Sequence, residues 1–355
     1  MSLENTTNTS IFSLECFLLD VNFDFAKYLF IAHILTLVVN SVFCFTAAGG
    51  NGVVILAVWR TPALHTPSNV FLCCLALSDL TVGLIAQPSF VIHKIGELLG
   101  SYSMYCTTRI LTETVGYITA GTSVFTMTSI AIERYLALYL HLRYKEVVTT
   151  KRILAAVLCL WVFFILLAAS RFWIASGNFF NNIIISLIFV SLAFTFIAYL
   201  RVLKYVRRHE NEIGDQKTIQ TAQQLPDEYR LTKITRYKKS TMTMVYILGI
   251  FVLCYIPFLC VKVVYKIDGY TTSVKTAYLY ASTIVFLNSS FNPLVYCWRI
   301  PNIRKAVKKY FSPCFGAEKS SPVDSASVEA GRPRRIEMSV GYIPTQRPSL
   351  RVNQV

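Results

Sequence analysis

Seven apolar stretches constrain this chain more than any other feature: Leu29–Trp59, Ser68–Ile92, Tyr105–Tyr139, Ile153–Trp173, Ile183–Val206, Thr241–Val264 and Thr276–Trp298. A hydrocarbon core ~30 Å thick is crossed by roughly 20 residues of helix. Within lipid the backbone must satisfy its own N–H and C=O groups, so only helices and closed barrels can span it. A barrel would need short alternating segments. These stretches are rich in Leu, Ile, Val and Phe without a period of two. The fold class is therefore all-α, a polytopic bundle of seven membrane helices, with the seventh the least apolar. Composition agrees. At 54% hydrophobic and 15% charged, the chain has more apolar surface than one soluble core could bury, and most of it is too apolar for disorder.

A formal net charge of +15 suits either nucleic acid or basic loops facing anionic lipid, and its location decides. The stretches 60–67, 133–152, 200–239 and 299–311 carry +1, +3, +5 and +5. Basic residues stay in the cytoplasm, so these mark the inner face, and no nucleic-acid partner is expected. Residues 1–28 hold Glu4, Glu15, Asp20 and Asp24 against Lys27, which puts the N-terminus outside and, after seven spans, the C-terminus inside. The sequons at Asn5 and Asn8 suit glycosylation there. Met1–Ser10 is polar, so the first span is expected to start insertion itself.

The expected division is an extracellular segment 1–28, a membrane domain 29–311 and a disordered cytoplasmic tail 312–355. Within Pro301–Phe311, Ile303, Ala306, Val307, Tyr310 and Phe311 fall on one helical face, and Arg304, Lys305, Lys308 and Lys309 on the other. This is an amphipathic eighth helix for an anionic leaflet, followed by Cys314 as a palmitoylation candidate. Ser320, Ser321, Ser325 and Ser327 are phosphorylation candidates in the tail.

Charged groups inside a membrane are costly and mark function. Asp79 lies midway along the second span, with Asn51, Ser123, Asn288, Ser289 and Asn292 at similar depth on other spans. Two readings stay open: oxygen ligands for a structural sodium ion, or a polar network tying helices together. No other cofactor or metal is indicated. Arg109 and Glu113, four apart on one helix, either pair with each other or contact a ligand.

Asn51, Leu77-Ser-Asp79, Glu133-Arg134-Tyr135, Trp161, Cys254-Tyr-Ile-Pro257 and Asn292-Pro-Leu-Val-Tyr296 stand in order, each in its own span. Taken together they resemble the rhodopsin-like (class A) G-protein-coupled receptors over roughly residues 29–311, with a partial likeness to the melanocortin, adenosine and cannabinoid receptors. The resemblance implies a switch between two helix packings. Arg134 would be held by Glu133, then released toward the G protein and Tyr199, with Tyr296 swinging to the same place. Pro257 would be the hinge of the sixth span, Phe251 and Tyr255 would transmit the ligand signal, and Leu142 would dock in the G protein. A heterotrimeric G protein, an extracellular ligand, membrane lipid and, through the phosphorylated tail, arrestin are the implied partners. No step needs a covalent catalyst, so the chain is not expected to be an enzyme.

The chain departs from the family pattern at several points. Tyr255 stands where Trp is usual, and Ser191 where the fifth span often has proline. Tyr237, Lys238 and Lys239 replace an acidic clamp on the arginine, which leaves room for basal activity. The usual bridge from the third span to the second outer loop has no partner in Ser176–Asn182, and Cys16–Cys106 is the open alternative. Gly116 replaces the Asp of amine receptors, and no Lys lies between Ala277 and Trp298 for a retinal Schiff base. Arg109, Glu113, Tyr117, Phe258 and Lys262 form the candidate ligand set, without identifying the ligand. A transporter or channel with the same span count is the competing reading, but it would predict internal repeats, and none is visible.

Overall fold

The structure, a computed structural model, describes residues 16, 23–140, 143–173, 177–219, 227–269 and 271–311. Seven long helices among these residues form the bundle: α1 (Phe30–Trp59), α2 (Pro67–Leu98), α3 (Tyr102–Tyr139), α4 (Thr150–Ser170), α5 (Gly177–Ile219), α6 (Asp227–Asp268) and α7 (Thr272–Arg299). A shorter α8 (Pro301–Phe311) follows. Local chemistry sets several of the starts. Thr66, Thr149 and Thr271 each stand before a helix in extended conformation, and each side chain accepts from a backbone N–H three residues on. Gly100, at φ +66°, closes the turn between α2 and α3.

Midway along α2 the residues Val82–Ala86 form a wider π turn ahead of Pro88. Proline has no N–H and its ring crowds the preceding turn, and the extra residue relieves both conflicts. Gly83 lies in this turn because α1 is too near for a side chain. A Cβ there would sit 2.6 Å from the Ala48 backbone nitrogen and 2.9 Å from the Cys44 carbonyl oxygen.

Six of the helices are long and apolar enough to cross a membrane on length and composition. The seventh, α7, falls short because its inward face carries Ser282, Thr283, Asn288, Ser289, Ser290 and Asn292, all buried. Outward, Phe45, Leu84, Leu166, Phe189, Leu253 and Leu294 are exposed, an apolar exterior that needs lipid. The second helix runs on to Leu98, past the Ile92 limit expected from hydropathy. On α8, Ile303 and Ala306 are buried in the main core beside Val54, Leu72 and Tyr296. Its apolar face therefore packs partly on the bundle, and the Tyr310 hydroxyl donates to the Arg60 carbonyl at 3.0 Å.

Because backbone atoms are what a Cβ on residue 83 would strike, Gly83→Ala should cost about 1–3 kcal/mol through overpacking. Thermal unfolding of purified protein checks this. Gly116→Ala, which meets nothing within 4 Å, is the control and should leave the midpoint near wild type.

Candidate functional site

Near the disulfide that joins Cys16 to Cys106, close to the start of α3, the bundle opens into a cavity of about 680 Å³. It runs from Lys94, Arg109 and Lys275 down to Asp79, Asn288 and Ser289. The five ligand candidates, Arg109, Glu113, Tyr117, Phe258 and Lys262, all line it. Arg109 Nε donates to Glu113 at 3.0 Å, so the i, i+4 pair forms, and Arg171 at the end of α4 reaches the same carboxylate at 2.5 Å. The Arg171 guanidinium also lies 5.4 Å from the Tyr117 ring centre, a cation–π distance. Lys262 places its ammonium 5.1 Å from the Tyr278 ring centre and 5.5 Å from that of Phe258.

Beside the cavity a second ionic cluster surrounds Glu97 on α2. Lys94 contacts it at 2.9 Å and His33 of α1 at 3.2 Å, and Lys275 of α7 pairs with its other oxygen. His93 lies 3.9 Å from Glu97. Three helices thus converge on one buried carboxylate.

Deeper in the bundle, Asn292 donates to Asp79 at 2.6 Å, and Asn51 donates to the Ser289 carbonyl at 2.9 Å. Ser123 shares a 2.8 Å hydrogen bond with Ser78. Among the described residues the buried Asn288 Oδ1 has no hydrogen-bond partner. The carboxylate of Asp79, that amide oxygen and the Ser123 hydroxyl are all hard oxygen donors, so the residues present fit a small monovalent cation.

At the far end of α3, Glu133 faces Arg134 at 3.3 Å and accepts from Ser68 at 3.0 Å and from Tyr144. Tyr144 belongs to a short helix, Tyr144–Val147, after α3. Its burial, and then the charge of Glu133, push its phenol above the ordinary value, so it remains a donor. Tyr199 is buried nearby on α5, and Tyr296 is fully buried, its hydroxyl without a partner among the described residues. Tyr135 stacks on Tyr139 at 5.7 Å. Between the two ends Phe251 stacks on Tyr255 at 4.1 Å, the latter lining the cavity floor, and α6 contains Pro257. Ser191 shares a 2.5 Å hydrogen bond with Thr128 of α3.

Residues 50–296 match the sequence profile described as 7 transmembrane receptor (rhodopsin family). The chain belongs to this family. It is 24% identical over 304 residues to the pyroglutamylated RF-amide peptide receptor of Rattus norvegicus, covering 77% of this chain and 69% of that protein. It is 23% identical over 265 residues to melanocortin receptor 4 of Danio rerio, covering 73% and 78%. The crystal structure of squid rhodopsin shares the fold, with a TM-score of 0.67 at 20% identity, over 81% of this chain and 89% of that one. This rhodopsin-family chain is accordingly a multi-pass membrane receptor and not an enzyme.

Sequence reasoning missed several parts of this candidate site. Glu97, Lys94 and His93 fell beyond the assumed end of the second span, although Lys94 and Glu97 at i, i+3 were a readable pairing signal. Arg171 and Tyr144 had no such signal, since their contacts depend on how helices pack. Asn5, Asn8, Leu142 and Cys314 lie outside the described residues, as do the side chains of Lys238 and Lys239 on α6.

Removing the Glu97 charge leaves Lys94 and Lys275 side by side without it. Glu97→Gln should therefore cost about 3–5 kcal/mol, read as a lowered unfolding midpoint and reduced surface expression.

Proposed function

We propose that this receptor binds an extracellular ligand in the cavity between the outer helix halves and activates heterotrimeric G proteins by outward movement of α6. The observation that carries the reading is the stacked Phe251–Tyr255 pair, which begins at the cavity floor and continues into the α6 core. A ligand that presses differently on Tyr255 in two packings shifts their populations by its differential affinity. Moving the balance from 1:99 to 99:1 takes roughly 10⁴-fold. Pro257 removes one backbone hydrogen bond from α6 and so makes bending there less costly.

At the inner end, Arg134 leaves Glu133 for the G protein, with Tyr199 and Tyr296 as its new neighbours and Leu142, Lys238 and Lys239 at the docking surface. The clamp on Arg134 comes from Glu133, itself held by Ser68 and Tyr144. In this reading the N-terminus is extracellular, with Asn5 and Asn8 glycosylated, and the tail is cytoplasmic, with Cys314 as a lipid anchor and its phosphorylated serines a contact for arrestin. Asp79, Ser123 and Asn288 would hold sodium, which would supply a positive charge that favours one packing.

Arg134→Ala should abolish agonist-driven or basal dissociation of Gα from Gβγ while surface expression stays normal. Coupling equal to wild type in every Gα subtype sinks the reading. Replacing potassium by sodium in the buffer should raise the unfolding midpoint of wild type and leave Asp79→Asn unmoved.

A further inference from the structure

The charge around the cavity mouth selects a class of ligand. Five cationic side chains line it: Lys94, Arg109, Arg171, Lys262 and Lys275. Glu97 pairs with Lys94 and Lys275, and Glu113 with Arg109 and Arg171. Glu113 therefore already holds two guanidiniums, so an amine or a basic peptide would have to displace one of them. Lys262 has no carboxylate within ion-pair distance among the described residues, and rests on the rings of Phe258 and Tyr278. His93 is buried in the same wall, with neither ring nitrogen hydrogen-bonded among the described residues. Lys262 is therefore the cation of this wall that meets only aromatic faces among the described residues, and a buried ammonium is costly unless an anion meets it. Below this ring of charge Val124, Phe164, Leu187, Ile188 and Phe286 form an apolar stretch of wall above the polar floor at Asp79, Asn288 and Ser289.

We propose that the ligand is an anionic amphiphile, a carboxylate or phosphate on a hydrocarbon body. Its acidic group meets Lys262 and Arg171 at the mouth, and its tail lies along the apolar wall. Guanidinium suits such head groups because its paired donors match two oxygens of a carboxylate or phosphate. A cavity of about 680 Å³ is in the range for a small organic ligand. The inference rests on the reading that this cavity is the receptor's ligand site.

The test uses the full chain in nanodiscs of phosphatidylcholine alone, so that no anionic lipid competes. Oleic acid and its methyl ester form one matched pair, lysophosphatidic acid and monoolein the other, and an arginine-rich peptide is the cationic probe. Binding is read as a shift in unfolding midpoint, and signalling as Gα dissociation in cells. At least one acid should raise the midpoint while its neutral partner and the peptide do not, and the stronger of the two acids identifies the head group. Lys262→Gln should weaken that acid roughly 10- to 100-fold, and Lys262→Arg should restore it. Glu113→Gln, which removes a carboxylate from the same wall, should strengthen the acid several-fold, the reverse of what loss of a purely structural pair would do. Neutral or cationic probes binding as well as the acids, no acid binding at all, or unchanged affinity in Lys262→Gln each overturn the proposal. An acid that binds with this charge dependence but leaves G protein unmoved keeps the ligand class and removes the signalling reading. A neutral or basic agonist acting through Arg134 does the opposite.

Discussion

A charge carried into a bilayer must bring its partner with it, and this requirement orients the helices. An apolar helix can turn about its axis in lipid at little cost, because every face is equally soluble there. A helix bearing Lys275 cannot, since that ammonium must stay on Glu97. Glu97 thereby fixes α7 against α2, and through His33 against α1. Glu113 does the same for α3 and the end of α4. Such pairs are weak evidence for stability, because apolar replacements often fold as well. Their effect here is to favour one rotation of each helix about its axis, and the cavity lies between helices held in that orientation.

Neutral polar contacts extend the same logic inward. Asn40 donates to Thr283 at 3.0 Å, tying α1 to α7, and Thr128 bonds to Ser191 and Thr195 of α5. The second of these explains how α5 docks without the proline common in the family. A hydroxyl pair supplies the register, and the helix runs unbroken from Gly177 to Ile219.

Hydropathy made the bundle legible, since lipid leaves a chain few ways to fold. It was least reliable at α7, whose buried face is rich in Ser, Thr and Asn, and at the end of α2, where Lys94 and Glu97 lie beyond the apolar stretch that ends at Ile92. The site was legible where its residues lie on one helix. Arg109 and Glu113 could be paired by spacing alone, whereas Arg171 joins them only through the crossing of α3 and α4. The same limit applies to Tyr144, whose contact with Glu133 depends on the chain folding back after α3. A sequence states which groups need partners, but the partner is a property of packing.

The groups without partners are themselves arranged. Among the described residues, Asn51 Oδ1, Asn288 Oδ1 and the Tyr296 hydroxyl are buried and lack hydrogen-bond partners, and all three belong to the band that runs from the cavity floor toward Arg134. A buried polar group left unpaired raises the energy of the packing that contains it. Under the proposed function, a second packing that pairs those groups would recover that energy while losing contacts elsewhere, which would bring the two close together. Closely matched packings are what a ligand of modest differential affinity can interconvert. Under that proposal, a fully satisfied or fully apolar band would leave the bundle less to switch.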